Sequence, residues 1–381
     1  MPTISFIITT YNIAPYIERC LASVAQIARP GDEVIIVDDG SGDGTDGIVR
    51  DFAATSGFGP GVAYRPVFLG TNTFGGVGIG GNIGLSEATR DTVFFVDGDD
   101  WVDVGGFNRA RAYWTLNPTD ILFTNYREYD QANDTLKSPA DAGLWRALDT
   151  AVSFDALQKT ALAFIAVPWR KFYDRAFLER NKLRFPEGDF FFEDNPFHWE
   201  VCLTAASIGF HDQVICYHRV NRPGQTMAST GVELGAFFTH FDTIMSKIPA
   251  AHRDAEPIVA RWLLNNMTWH MPRLAPQAFF SYASAGARAL QKISDAVWFE
   301  DLAVTESRKM IWPVATRLRS GDIWGQIDAW DRSFLRKKIE GVAAGVKGVA
   351  QLERDIARDT REARRILVGD RAVEQFEALR K

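Results

Sequence analysis

Short apolar runs alternate with stretches of helical period over the first hundred residues. "ISFII" at 4–8 reads as a buried strand ending in Thr9-Thr10-Tyr11-Asn12. Ile17, Leu21 and Val24 then step by four and three, the spacing of one helix face. The segment "RPGDEVIIVDDGSGDGTDGIVRDF" gives a turn, a second strand at 33–37, an aspartate pair, a Gly/Ser/Asp loop and a helix start at Thr45-Asp46. A third strand is expected at 62–68, followed by a glycine-rich loop at 75–84 and a short helix near 84–89. "VFFV" at 93–96 is the next strand, and it runs straight into Asp97-Gly98-Asp99-Asp100.

Strands alternating with helices indicate an α/β domain with a mostly parallel central sheet flanked by helices. Continuous apolar strands fit burial on both faces of such a sheet. Its ligands bind beyond the carboxyl ends of the strands, where Thr9-Thr10-Tyr11, Asp38-Asp39 and Asp97-Gly98-Asp99 fall. A helix at 104–117, the strand "DILFTNYREYD" and a helix near 153–164 follow. "QVICYHRVNRPGQTMAST" at 213–230 reads as a strand and a polar loop. From 231 the pattern turns helical, so the expected division is an α/β domain over 1–230 and an α-helical region over 231–381. Within that region Leu335, Ile339, Val342, Val346, Val349, Leu352 and Ile356 make a heptad-like seam, suited to internal packing or self-association.

Composition narrows the class. Hydrophobic residues are 46% and charged residues 24% of 381, so the chain can build a core without disulfide staples. Three scattered cysteines, Cys20, Cys202 and Cys216, make neither a zinc site nor a disulfide framework. A net charge of −6 argues against nucleic acid as a partner. "MPTISFIITTYN" lacks the basic start of a signal peptide, and no apolar run is long enough for a membrane span. The expected location is the cytoplasm, with peripheral contact at the inner face of the membrane left open.

Four stretches carry candidate chemistry. Carboxylates on alternate residues past a strand repel one another unless a cation sits between them, which makes "DGDD" a candidate site for Mg²⁺ or Mn²⁺. Gly76, Gly78 and Gly81 match G-x-G-x-x-G but come after the third strand instead of the first, so a flexible or phosphate-adjacent loop fits better than a dinucleotide fingerprint. In "DFFFEDNPFHWE", Asp194 is placed to cap a helix at 195–207, and Glu193 against apolar residues is a candidate base. In "YHRVNRPGQT", Arg219 and Arg222 are candidate phosphate contacts, and His218 reads as a hydrogen-bonded structural histidine.

Together, and in this order, "ISFIITTYN", "EVIIVDDGSGDGT", "GNIGLSEATRDTVFFVDGDDW", "FFEDNPFHWEVC" and "YHRVNRPGQT" resemble the family 2 glycosyltransferases, over roughly residues 3–230. The resemblance implies a GT-A nucleotide-sugar-binding domain with a helical C-terminal extension, and inverting sugar transfer that depends on Mn²⁺ or Mg²⁺. It implies that Thr10, Tyr11, Asp39, Asn82 and Asp97 meet the nucleotide, that Asp99 holds the metal, and that Asp194 is the general base with Glu193 beside it. Arg219, Arg222 and Gln225 would reach the diphosphate. The donor would be a nucleotide-sugar such as a UDP-sugar, and the acceptor a glycan or lipid-linked hydroxyl in surface polysaccharide or glycolipid synthesis. One position departs from the pattern: Gly81 stands where the family commonly carries arginine. A non-catalytic nucleotide-sugar sensor or scaffold on the same fold is the alternative.

Overall fold

The computed structural model describes residues 2–55, 57–73, 76–150, 152–188, 191–222 and 230–378. The chain divides into two compact units, Met1–Gly321 and Asp322–Lys381, so residues 231–321 belong to the same unit as the sheet.

The first unit opens with β1 (Ile4–Thr10), α1 (Ala14–Ile27), β2 (Glu33–Asp38), α2 (Thr45–Thr55), β3 (Ala63–Phe68), α3 (Val77–Glu87) and β4 (Thr92–Asp97). These strands lie in the order β3-β2-β1-β4, all parallel. The register sets Thr10 beside Asp38 and Thr9 beside Asp97, bringing three polar strand ends to one edge. Beneath them is a dry aromatic core in which the Phe94 ring lies 4.9 Å from Phe107 and 5.0 Å from Phe172.

Next come β5 (Trp101–Val102), α4 (Val104–Leu116), β6 (Ile121–Asp130), β7 (Thr135–Lys137), α5 (Ala142–Ala147), α6 (Phe154–Ala163), β8 (Lys171–Asp174), α7 (Arg175–Arg180), α8 (Asp194–Thr204) and β9 (Ile208–Val220). They extend the sheet as β4-β8-β6-β9-β5, with β7 on β6, and here the pairing is mixed: β6 and β9 run parallel, while β8 is antiparallel to β4 and β6. β5 pairs antiparallel with β9, setting Trp101 beside Tyr217.

Two local expectations are corrected. Residues 77–84 form most of α3 and not a loop. Glycine normally weakens a helix, but here it lets the helix settle on the sheet. A Cβ at Gly84 would lie 2.3 Å from Ile7 Cγ2, and one at Gly78 would lie 2.7 Å from Glu193 Cγ. The second correction concerns α8, whose cap position is Glu193. Asp194 is the first helical residue, and Glu193 makes no side-chain capping bond.

The unit closes with α9 (Ala236–Lys247), α10 (Glu256–His270), α11 (Phe279–Gln291), α12 (Ala303–Thr305) and α13 (Ile311–Arg319). Their core includes Phe238, Phe241, Leu263, Met267, Tyr282 and Leu318. The second unit is α14 (Ile323–Ala378), on which Leu335, Ile339, Val342, Val349, Leu352 and Ile356 are exposed. No helix among the described residues is long and apolar enough to cross a membrane. The three cysteines are buried and free.

Candidate active site

The site begins where β4 ends. A tight turn, closed by the Asp100 N–H donating to Asp97 O at 3.0 Å, leads directly into β5. Because β5 pairs with β9, His218 arrives over that turn with Nδ1 2.8 Å from Asp100 Oδ2. Trp169 stacks on the imidazole at 4.9 Å. Asp97, Asp100 and His218 thereby offer three ligand atoms, all within 4.8 Å of one another.

The electrostatics of this group favour a cation. Burial, then the charges of Asp100 and Asp99, hold the Asp97 carboxyl well above its usual range. Burial also raises Asp100, against the opposing effect of His218. Burial alone would lower His218, yet the charge and hydrogen bond of Asp100 carry it up to about 9. Two carboxylates with one imidazole, once the imidazole gives up its proton, make a donor set that suits Mg²⁺ or Mn²⁺. The residues present therefore fit a divalent ion. His218 is not among the candidate ligands read from sequence, and Asp100 is there only as the last residue of "DGDD". Three acids within four residues and a histidine past a strand are visible there, but the pairing that joins them is not.

Asp99 faces the basic residues instead. Arg222 Nε donates to Asp99 Oδ2, and Arg219 Nε donates to the Asp99 carbonyl at 2.9 Å. The Arg219 N–H donates to Asp100 Oδ1 at 2.7 Å, and its guanidinium covers the Tyr16 ring at 4.6 Å. Arg219 and Arg222 are thus gathered on the acidic turn. Gln225 lies outside the described residues.

Among the other expected nucleotide contacts, Thr10, Asp39 and Asn82 have partners of their own. Thr10 Oγ1 donates to Asp38 Oδ2 at 2.9 Å, while Tyr11 beside it is 47% exposed. Asp39 accepts from Asn72 Nδ2 at 2.9 Å and from the Thr73 N–H at 2.8 Å, pinning the loop after β3. Burial raises its pKa, against the Thr73 bonds. Asn82 donates to Phe185 O at 2.9 Å and accepts from the Phe185 N–H at 2.9 Å, locking α3 to the chain before α8. At the departing position, a Cβ on Gly81 would lie 2.9 Å from the Phe185 ring, so an aromatic side chain occupies the space an arginine would leave by.

Glu193 and Asp194 point to different neighbours. Glu193 Oε1 accepts from the Gly78 N–H at 2.7 Å, so the glycine-rich helix start holds a carboxylate of this chain. Helix N-termini suit anions, and burial still pushes the Glu193 pKa up to about 7. Asp194 opens α8. Burial raises its pKa, while the charge of Lys171 and hydrogen bonds from Asn195 oppose that rise. Lys171 is buried, with Nζ bonded to the carbonyls of Ala166 and Val167 at 2.9 Å and to His198 Nδ1 at 3.0 Å. Burial brings it down to about 7. The charge of Asp194 is felt at Asp97, so the α8 carboxylate and the acidic turn share one electrostatic neighbourhood. A cation-binding group can hold a phosphorylated ligand, and a carboxylate of raised pKa can take up a proton.

Residues 5–182 match the family described as Glycosyl transferase family 2. Over that stretch, a little under half of the chain, the sequence is similar to this family. It is 30% identical over 223 residues to an uncharacterized glycosyltransferase, EpsJ, of Bacillus subtilis, covering 58% of this chain and 62% of EpsJ. It is 26% identical over 261 residues to the poly(ribitol-phosphate) beta-N-acetylglucosaminyltransferase TarS of Staphylococcus aureus, covering 67% of this chain and 43% of TarS. The chain thus spans less than two thirds of these curated relatives. The crystal structure of TarS 1–349 in complex with UDP-GlcNAc aligns with a TM-score of 0.68 at 24% identity, covering 88% of this chain and 92% of that one. The mannosyltransferase PcManGT from Pyrobaculum calidifontis, in complex with GDP-Man and Mn²⁺, aligns with a TM-score of 0.50 at 20% identity, covering 88% and 87%. The fold is accordingly GT-A: a sheet flanked by helices, with further helices at the C-terminal side.

Proposed function

We propose that the chain is an inverting glycosyltransferase that moves a sugar from a nucleoside-diphosphate sugar to an acceptor hydroxyl. The observation that carries this reading is the acidic turn capped by His218, with Asp194 in the same electrostatic neighbourhood. The family match and the structural neighbours in complex with UDP-GlcNAc and GDP-Man support the donor class. A UDP-sugar is the donor proposed first, after TarS.

Asp97, Asp100 and His218 would hold Mg²⁺ or Mn²⁺, with Asp99 at the rim. When bound, the ion supplies positive charge against the diphosphate. Arg219 and Arg222 would add charge-assisted hydrogen bonds there. Thr10, Tyr11, Asp39, Asn82 and Asp97 would frame or brace the nucleotide pocket. Asp194 would take the acceptor proton as the hydroxyl oxygen bonds to the anomeric carbon, and the bond from that carbon to the diphosphate breaks with its electrons leaving on the nucleotide. Attack opposite the leaving group inverts the centre. Burial, which raises the Asp194 pKa, makes it a better base than an exposed aspartate.

A glycan or lipid-linked acceptor in surface polysaccharide or glycolipid synthesis is in keeping with the polymer in the printed name of TarS. The α14 seam is proposed to self-associate, giving a homodimer, on a protein working in the cytoplasm or at the inner membrane face.

The test is release of nucleoside diphosphate from a panel of UDP-, GDP- and dTDP-sugars with Mn²⁺ or Mg²⁺. Metal-dependent turnover of one donor, reduced in Asp100→Asn and in Asp194→Asn, is the expected result. Tight metal-dependent nucleotide binding with no turnover in the presence of glycan and lipid acceptors would favour the sensor or scaffold reading.

A further inference from the structure

The segment Phe191–Asn195, which carries Asp194, is gripped by helices that follow the sheet. His240 on α9 meets the Phe191 carbonyl at 2.6 Å through Nε2. Burial lowers the His240 pKa, so the neutral ring donates that bond. Phe192 has a φ of 65°, a conformation costly for a bulky residue. Its ring packs 4.5 Å from Phe237 and 6.2 Å from Trp269, which holds the turn in place.

The decisive contact is polar. Trp262 Nε1 on α10 donates to Asn195 Oδ1 at 3.1 Å. Asn195 Nδ2 in turn donates to Asp194 Oδ1 at 2.9 Å and to the Phe192 carbonyl at 3.0 Å. An indole N–H can only donate, so it accepts one orientation of the Asn195 amide. Reversed, the amide would turn its oxygen on the Asp194 carboxylate and its NH₂ on the indole donor.

We propose that Trp262 and Asn195 are positioning residues for Asp194: the indole fixes the polarity of the Asn195 amide, which then holds one carboxylate oxygen by a donated hydrogen bond. The remaining lone pairs of Asp194 are presented in one orientation to the acceptor hydroxyl. The functional part of this inference rests on Asp194 being the base, while the hydrogen-bond relay does not.

The relay is tested by ¹³C NMR titration of the Asp194 carboxyl, assigned with Asp194→Asn, in the full chain without ligand. Trp262→Phe keeps an aromatic ring on the side of Phe237, 5.8 Å from the indole, and removes the donor together with part of the ring volume. The other groups whose charge or hydrogen bonds bear on Asp194, namely Lys171 and Tyr173 on β8, Asp97 on β4 and the adjacent Glu193, are the same in every variant. Trp262→Phe is expected to move the Asp194 titration to higher pH. In an Asn195→Ala background, or Asn195→Ser if the alanine variant is unstable, it is expected to have no further effect. An unmoved titration in Trp262→Phe, or an equal shift with and without Asn195, overturns the relay.

Turnover then tests its use. With the donor identified by the release assay, Trp262→Phe is expected to lower kcat by about 10- to 100-fold with KM for donor unchanged. Full activity in Asp194→Asn would remove the base reading and leave the NMR result standing. Loss in Asp194→Asn with unchanged kcat in Trp262→Phe would overturn the positioning role alone.

Discussion

His218 Nδ1 lies 2.8 Å from Asp100 Oδ2 across 118 residues of chain, and that contact joins the last sheet strand to the turn after β4. It makes Asp100, together with Asp97, the acid facing the imidazole, while Asp99 is engaged by Arg222. The assignment of metal ligands turns on this difference. Loss of groups that merely orient a ligand costs about 10- to 100-fold in metal affinity, so Asp100→Asn and His218→Ala should each weaken Mn²⁺ binding by at least that order. Asp99→Asn should cost less. Titration calorimetry of the three variants decides the order, and a larger loss in Asp99→Asn would return the ligand role to Asp99.

Lys171 bears on Asp194 from below. Its ammonium favours the ionised carboxylate, so Lys171→Met should raise the Asp194 pKa and move the acid limb of the pH–rate profile upward. Stability carries an independent signal. The folded pKa of Lys171 is depressed from 10.5 to about 7, so its contribution to stability is present above 10.5 and lost as pH falls through 7. Compared with wild type, Lys171→Met should therefore gain most near pH 6, with the gain shrinking toward pH 10. Melting temperatures of both proteins across that range check the sign.

The strands and the acidic turn were legible because each depends on neighbours in sequence. Runs such as "VIIV" and "VFFV" announce burial on both faces, and the acids past them fall at strand ends. The α3 helix was not legible. Four glycines within its span read as a loop unless Ile7 and Glu193 are known to lie against it. His218 reads from sequence as a hydrogen-bonded histidine, which it is, but nothing local names Asp100 as its partner. Trp262 has no local partner to mark it, since its hydrogen bond to Asn195 spans 67 residues. What sequence withheld in each case was a long-range partner.

The close seating of α3 gives a stability prediction. At Gly84 an added methyl would sit 2.3 Å from Ile7 Cγ2 on a buried strand. Overpacking of this kind costs about 1–3 kcal/mol, more than the gain of about 1 kcal/mol from replacing a helical glycine. Gly84→Ala should therefore be destabilised. Gly47, in α2, has no atom within 4 Å of the same added group. Gly47→Ala should gain up to about 1 kcal/mol. Urea unfolding of the pair separates crowding from backbone freedom, and equal effects at both sites would show that α3 can shift to accept a side chain.

Glu193 offers a pH test of the helix start that holds it. Its folded pKa is raised from 4.5 to about 7 by burial, against the Gly78 N–H that favours the charged form. A raised pKa means that its contribution to stability is fully present below pH 4.5 and lost as pH rises through 7. Glu193→Gln keeps an oxygen for the Gly78 N–H and cannot ionise. The melting temperature of wild type relative to Glu193→Gln should therefore fall between pH 4.5 and 7 and level off above that. Glu193→Ala removes the acceptor, and leaving the Gly78 donor without a partner should cost about 1–3 kcal/mol. Parallel melting curves for wild type and Glu193→Gln would mean that the Gly78 bond offsets burial and that Glu193 stays ionised in the fold.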